Sequence, residues 1–503
     1  MPDEGALLGA GRDQGYAFTH ALVQEVAYHA IAKETHAKLH ERYADWLQRM
    51  SGGGVQVEEA VGNHLEQAYQ SLVEIGQHGE RTARLARRAG TALAAAGHWA
   101  AGRRDIPGRT VELLGRALSL LTDNDQTRRT ALLDLANALS NARRFPEALE
   151  VFDLAVVDAE AVGDVLATTH GRIGALAVKH FSGRESIRGD EETLERAIQV
   201  FERDDDKLGL ATTWRLSAYV RWTTGRLAWA ESCAQHAVEL ARQSGDEPLL
   251  ARSESTYCFI LFWGPRHVDD VAREVSRRLA WARRRGVLSL EVDALRILAR
   301  IRAMQGRFEE ARQLLRETGE VFTSYGGDTL VLVAGFLSAG LVELLADQPA
   351  AAEKVLRRGY RTLEEIGGRG QLLSVTSLLA RALAQQRRYP EAMAMTLECE
   401  QLSADEQVDA QIKWRSIRAT VLAATGDRET AERLSSEAVA LTGRWDQLDS
   451  TAEALADHAD VLRRIGRAKE AVTSAQRALD LYETKGNLVG MGRMRRFLEA
   501  GAA

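Results

Sequence analysis

Two histidines, His36 and His40, stand four positions apart. On a helix that spacing puts both imidazoles on one face, where they could give a metal two ligands. Glu41 follows the pair; it does not separate the two as the general base of a His-Glu-x-x-His protease would. The surrounding 33–49 stretch is amphipathic, and with Tyr43 and Trp46 it reads more simply as a packing face. The run ERDDDK at 202–207 sets carboxylates side by side but lacks the central glycine and distal glutamate of a calcium loop, so it reads as a solvated turn before a helix. No Gly-x-x-x-x-Gly-Lys-Ser/Thr segment cradles a phosphate, and no Gly-x-Ser-x-Gly elbow presents a nucleophile. Cys233, Cys258 and Cys399 have no metal-ligand spacing, and such sparse thiols suit a reducing cytoplasm. The residues therefore predict no enzyme, no cofactor and no metal site.

What remains is recognition, and recognition depends on the elements that carry the side chains. The 503 residues are 45% hydrophobic, enough for a full core, and only 7 are proline. Pro107, Pro146, Pro349 and Pro390 fall in a recurring turn, while Pro248 and Pro265 sit where a helix could begin, in its first turn. No proline interrupts a long periodic segment, so those segments can be helices. With 65 basic and 71 acidic residues intermixed, the net charge of −6 argues against bulk affinity for nucleic acid or membranes. The Arg283–Arg285 run and Arg493, Arg495 and Arg496 read as solvated helix ends. No apolar run approaches 18 residues, and no signal peptide is recognisable, so a cytoplasmic protein is expected.

Self-comparison is the most productive step. The pattern Gly-Arg-aromatic-x-x-Ala recurs as GRFEEA (306–311), RRFPEA (143–148), RRYPEA (387–392) and GRLAWA (225–230), and more weakly as DQPAAA (347–352), GDRETA (426–431) and GRAKEA (466–471). The last alanines of the final copies, Ala311, Ala352, Ala392, Ala431 and Ala471, lie 39 to 41 residues apart. Ala148, Ala230 and Ala311 are separated by double periods, so copies should hide near Gly189 and Gly264, with an earlier one at 104–109. A second set of turns, at 162–164, 244–246, 325–327 and 485–487, carries glycines suited to closing a helix in the left-handed conformation. A period near 40 without strand-like alternation predicts helix–turn–helix units.

The repeat resembles the tetratricopeptide pattern, stretched beyond its usual length. That pattern requires a small residue seven places before the turn glycine, where it meets the final alanine of the second helix. The positions read Ala136, Ala218, Ala299, Gly340, Ala380, Ala419 and Ala459, all small. Two helices crossing closely have no room there for more than a methyl group. Trp214 falls at the pattern's tryptophan position, whereas Arg415 and Arg418 stand at places usually apolar. Such units stack, with first helices lining an inner groove. By the pattern Asn137, Tyr219, Trp222, Arg296, Arg300, Arg381, Thr420 and Asp460 point into it, Tyr219 and Trp222 being the strongest candidates for a binding hot spot. The plain alternative for each is a solvated or packing side chain.

Residues 7–47, LLGAGRDQGYAFTHALVQEVAYHAIAKETHAKLHERYADWL, resemble the end of the winged-helix module of bacterial signal-transduction ATPases with numerous domains (STAND ATPases), in the group associated with adenylate/guanylate cyclase domains. The residues that carry this are Tyr16, Phe18, His20, Ala21, Leu22, Glu25, Val26, Ala27, Tyr28, Leu39 and His40. Segments 63–72, 88–100 and 485–500 are similar to the helical region that follows in the same proteins. The resemblance implies a strand over Tyr16–Phe18 running into a helix. It also raises a role for His20 in sensing nucleotide phosphates if an ATPase is supplied, against a structural role at a strand–helix junction.

The expected architecture is all-α: a right-handed α-solenoid of about nine or ten tetratricopeptide-like pairs over 55–500, a winged-helix remnant over 1–50, and a linker at 51–54. The expected function is a non-catalytic scaffold that binds a protein, a peptide or a small inducer in its groove and regulates an ATPase module in cis or in trans. Two further readings stand beside it: a fragment of a nucleotide cyclase or ATPase whose catalytic domains lie outside this chain, and a transcriptional regulator of the ATPase–repeat type.

Overall fold

The computed structural model describes residues 8–10, 16–18, 26, 28, 30–50, 57–101, 107–122, 125–142, 144–182, 190–324, 329–366, 369–404 and 407–502. Contacts divide the chain into two compact units, Met1–Gly174 and Ala175–Ala503.

The first unit opens with an antiparallel pair, β1 (Leu8–Ala10) and β2 (Tyr16–Phe18), in which Leu8 faces Phe18 and Ala10 faces Tyr16. Helices α1 (Lys33–Met50), α2 (Glu58–Glu74), α3 (Glu80–Ala101), α4 (Pro107–Leu120), α5 (Gln126–Asn141) and α6 (Phe145–Ala161) follow, with the start of α7 (Val165–Ser182). Helix α1 buries Ala37 and Ala44 and pairs with α3 through Arg81–Glu41 at 2.8 Å and Arg88–Asp45 at 2.5 Å. It therefore shares one body with the helices after it. The 51–54 stretch expected as a linker lies outside the described residues, as does His20.

The second unit takes up the rest of α7 and continues through α8 (Asp190–Arg203), α9 (Lys207–Thr223), α10 (Leu227–Ser244), α11 (Glu247–Trp263), α12 (Val268–Arg285), α13 (Leu288–Met304), α14 (Phe308–Ser324), α15 (Thr329–Leu345) and α16 (Pro349–Ile366). It ends with α17 (Arg369–Gln385), α18 (Tyr389–Leu402), α19 (Val408–Thr425), α20 (Arg428–Leu441), α21 (Leu448–Arg464), α22 (Ala468–Lys485) and α23 (Leu488–Ala502). The fold is an α-solenoid of tetratricopeptide-like pairs.

The local causes are visible in the turns. Gly245 closes α10 at φ +73°, and Asp246 then opens α11 by accepting from the Leu249 N–H at 2.6 Å. Gly163 and Asp164 do the same between α6 and α7, with Asp164 accepting from Ala167 N–H at 3.0 Å. Each such cap stabilises its helix by about 1 kcal/mol. The first turn needs the same left-handed residue; where a copy lacks glycine, Asp347 and Arg387 adopt φ values of +57° and +59°. Pro248 lies in the first turn of α11, as expected, but Pro265 does not begin a helix. It sits in the Gly264–His267 connection, because the cap of α12 is His267, two residues later.

The small residues meet as the pattern requires. Ala136, Ala218, Ala299, Ala380, Ala419 and Ala459 have no exposed surface, and neither do Ala148, Ala230, Ala311, Ala352, Ala392 and Ala431. At Gly340 even one added carbon would lie 2.5 Å from the Leu356 side chain. The misplaced cations are also accounted for. Arg415 and Arg418 place their guanidinium carbons 4.1 and 4.3 Å from the ring of Trp414, and Arg418 donates to the Thr396 carbonyl at 2.8 Å. Trp214 stacks on His236 with centroids 5.2 Å apart.

Candidate functional site

The first helices of the second unit are α9, α11, α13, α15, α17, α19 and α21, and the residue after each small position forms one row along them. Tyr219, Arg300, Arg381, Thr420 and Asp460 occupy that row. Asn137 holds the equivalent place on α5 in the first unit, where it is exposed and donates to its own helix at Leu133 O, 2.9 Å away.

The copy between Ala230 and Ala311 escaped the small-residue test because its small position is a cysteine. Cys258, fully buried, falls 40 residues after Ala218 and 41 before Ala299. Counting from Cys258 puts Phe259 in the row beside Tyr219 and Arg300, and brings in Trp263 at the end of α11. The four rings form one cluster. Phe259 lies 6.0 Å from Tyr219, 4.9 Å from Trp222 in an edge-to-face contact, and 6.2 Å from Trp263. The indole N–H groups of Trp222 and Trp263 are enclosed and have no acceptor among the described residues.

Charge is distributed unevenly around these rings. Arg300 donates from Nε to Ser338 Oγ at 3.1 Å and rests 5.6 and 5.8 Å from the rings of Phe262 and Trp263. Arg296 pairs with Asp293 through Nη2, while its Nε and Nη1 are enclosed without an acceptor. Burial, with Arg296 beside it, pushes the Arg300 guanidinium down to about 9. Arg252 on α11 is reached by water, yet burial and then Arg215 push its guanidinium down to about 10 against the pull of Asp246. On α17 and α21 the same kind of residue is neutralised. Arg381 holds Asp457 at 2.7 and 3.1 Å and Glu453 at 3.2 Å. Burial opposes its charge, but those carboxylates outweigh it and raise its pKa. Burial likewise works against Glu453, but Arg381, then Arg493 and Lys413, hold it below the usual range. Thr420 donates to Ile417 O at 2.8 Å, and Asp460 is held by Arg463 and Arg464 of its own helix at 2.9 and 2.7 Å.

Contacts between residues some 220 positions apart tie α10 and the end of α11 to the segments that follow α20 and end α22. Asp446 accepts from the Leu227 and Ala228 N–H groups at 2.7 and 3.0 Å, capping α10 from beyond α20. Lys485, 1% exposed, donates to the carbonyls of Phe262 and Gly264 at 2.7 and 2.6 Å. Leu227, Val408, Ile412, Trp445 and Ala454 make an apolar seam alongside, with Trp222 and Trp263 packed on it. Gly225, at φ +86°, has no room for a side chain against the Arg444 carbonyl and Trp445. A shallow hollow between α12 and α13, lined by Asp269, Arg273, Arg277 and Arg302 among others, includes none of the candidate residues.

His36 and His40 lie in the first unit and bond within it. His36 Nδ1 meets Ser71 Oγ at 2.8 Å, and His40 Nδ1 meets His64 Nδ1 at 2.7 Å. Burial, with His36 and His64 adding to it, holds His40 neutral down to about 4. Among the described residues no group of three or more metal-ligating side chains converges on a point, and no helix is long and apolar enough to cross a membrane.

Comparison with known proteins agrees with this architecture. Residues 411–484 match the tetratricopeptide repeat family. No curated protein sequence matches the chain. Among solved structures, the chain is similar to a Rap protein complexed with Competence and Sporulation Factor, at 14% identity and a TM-score of 0.57, over 71% of this chain and 98% of that one. The apo form of RapI aligns at 12% identity and a TM-score of 0.43, covering 71% and 97%. NprR in complex with its cognate peptide NprX aligns at 14% identity and 0.42, covering 59% and 88%. The first of these shares the fold; at such identities the likeness extends no further.

Proposed function

We propose that the concave face of the second unit binds a peptide or an extended protein segment, and that the chain is a non-catalytic recognition and regulatory module. The observation that carries this reading is the cluster of Tyr219, Trp222, Phe259 and Trp263 on adjacent first helices, with two indole donors lacking acceptors. Aromatic rings with unspent polar groups are what a binding hot spot offers. The similar Rap protein, solved with Competence and Sporulation Factor, has a fold that accommodates a bound factor. Because stacked repeats touch mainly their neighbours, an occupant bridging α9–α13 and α19–α21 shifts the pitch between them, and the Asp446 and Lys485 contacts are where that shift registers. The test is to select binders from a random peptide library with the full chain, then titrate them against Trp222→Ala and Tyr219→Ala. Weakening of at least about tenfold supports the site; unchanged affinity in both variants places binding elsewhere.

We also propose that the module serves a signal-transduction ATPase of the STAND type, with protein or small-inducer binding relayed to that ATPase. The strand at Tyr16–Phe18, where the resemblance expects a wing strand, favours this. ATP turnover by the chain alone would overturn the non-catalytic reading.

A further inference from the structure

Helix α1 reads from its sequence as a packing face, yet one side of it is left uncovered. Leu39, Tyr43, Trp46 and Met50 are 45 to 69% exposed. Their spacings of four, three and four make one straight seam, the d-a-d-a register of a helix that pairs with another in heptads abcdefg. Tyr43 stacks on Trp46 with centroids 5.4 Å apart and meets the His64 ring edge-on at 4.7 Å, so the rings are ordered before anything binds. In this register Arg42 and Arg49 take the g positions beside the seam. Both are exposed, and neither has an ion pair among the described residues. Lys38, by contrast, is held by Glu34 of its own helix at 2.8 Å. A second seam runs along α6 and the turn after it, where Leu154, Val157, Val162 and Val165 are 43 to 63% exposed and Ala161 is exposed between them. With Leu154 at a and Val157 at d, the g positions are Asp153 and Glu160. Asp153 has no ion pair among the described residues, and Glu160 has the exposed Arg172 at 2.7 Å. Contiguous exposed apolar faces of this kind mark interaction surfaces.

We infer that α1 of one copy docks antiparallel on α6 of a second copy of this chain, so that the protein assembles head to tail. Arg42 and Arg49 stand seven residues apart, and so do Asp153 and Glu160, about 10 Å along each helix. In an antiparallel pair the g positions of the two helices face each other. One register then sets Arg42 beside Glu160 and Arg49 beside Asp153. The same register layers Tyr43 on Val157, Trp46 on Leu154 and Leu39 on Ala161, large side chains against smaller ones. Symmetric pairings fail on charge. Two α1 helices would face arginine with arginine, and two α6 helices would face carboxylate with carboxylate. An anionic membrane surface suits the rings and cations of α1 but leaves the acidic seam of α6 uncovered, whereas a second copy covers both. A contact between two different faces is heterologous, so it propagates and does not close by a twofold axis. One helix resting on one helix is a small interface, and a dissociation constant of the order of 10–100 µM is expected.

Sedimentation velocity of the full chain from about 1 to about 200 µM should show a weight-average sedimentation coefficient that rises with concentration. Raising the salt to about 0.5 M should weaken the association at least about threefold. Trp46→Ser and Val157→Ser change exposed positions, each on one seam, and are checked for unchanged helicity. Each alone should associate at least about tenfold more weakly than the wild type. Mixed in equal amounts, they retain one intact seam of each kind and should form a 1:1 dimer with the wild-type affinity. The double variants Arg42→Glu, Arg49→Glu and Asp153→Lys, Glu160→Lys should each be monomeric alone and associate on mixing, because each supplies the charge the other lacks. A wild type that stays monomeric throughout overturns the inference, whether or not it binds phosphatidylserine vesicles. Association lost in Trp46→Ser but kept in Val157→Ser shows a symmetric α1 contact and also overturns it, as do mixtures that associate no better than their components.

Discussion

Lys485 is a buried ammonium that joins α22 to the end of α11, and its replacement by methionine has a pH-dependent signature. Burial pushes its amine down to about 8, against the pull of Asp449 and Glu231, from an ordinary value of 10.5. Between pH 8 and 10.5 the unfolded chain still holds the proton that the folded chain has released. Raising the pH through that window therefore stabilises the folded state. The drop from 10.5 to about 8 corresponds to about 3 kcal/mol over the whole window, undiminished by solvent because the side chain is 1% exposed. At pH 7 both states are protonated, and Lys485→Met trades two charge-assisted hydrogen bonds for relief of that desolvation, a net loss of about 1–2 kcal/mol. Urea unfolding of both proteins at pH 7, 8, 9 and 10, followed by tryptophan fluorescence, reads the effect, since Trp222, Trp263 and Trp445 lie along the seam. The advantage of the wild type should be flat up to pH 8 and then grow by about 1 kcal/mol per pH unit. A difference independent of pH between 8 and 10 would show that the ammonium is not enclosed as described.

Three further outcomes are expected. Ala299→Leu forces extra carbons into a crossing with no exposed surface and should cost about 1–3 kcal/mol in chemical unfolding, while Ala299→Ser should cost less than about 1 kcal/mol. Asp446→Ala removes both acceptors from the start of α10; about 2 kcal/mol of lost protection at the Leu227 and Ala228 amides should appear in hydrogen exchange, with the α6 amides unchanged. His40 is neutral when folded down to about pH 4 but titrates at 6.5 when unfolded, so stability of the first unit should be full above pH 6.5 and fall as the pH drops toward 4. Because His40 is only half-buried, the loss is about 1 kcal/mol, and His40→Gln should abolish that part of the acid sensitivity.

The helix pairs were legible because their signal is local. A methyl-sized residue, seven further positions, a left-handed turn and an alanine recur within one unit, and each states its own steric reason. The α11 copy hid because Cys258, small but not alanine or glycine, stands at the crossing and the Gly264–His267 connection breaks the turn motif. Phe259 and Trp263 were missed for that reason alone. The Asp446 and Lys485 contacts were not legible at all, since they depend on how far the stack winds before two distant turns touch. Arg381 looked like a free groove cation for the same reason: its partners Asp457 and Glu453 lie more than 70 residues away and meet it only when α17 and α21 line the same hollow. Arg296, by contrast, keeps two enclosed guanidinium nitrogens without an acceptor among the described residues, while Arg300 donates to Ser338 on the next first helix.

The central claim is that an occupant lies against Tyr219 and Trp222. A photo-crosslinking phenylalanine analogue placed at Tyr219, and separately at the exposed Trp229 on the second helix of the same pair, tests it with any peptide selected by the full chain. Crosslinking from position 219 and not from 229 is the expected result; crosslinking from 229 alone would contradict the account.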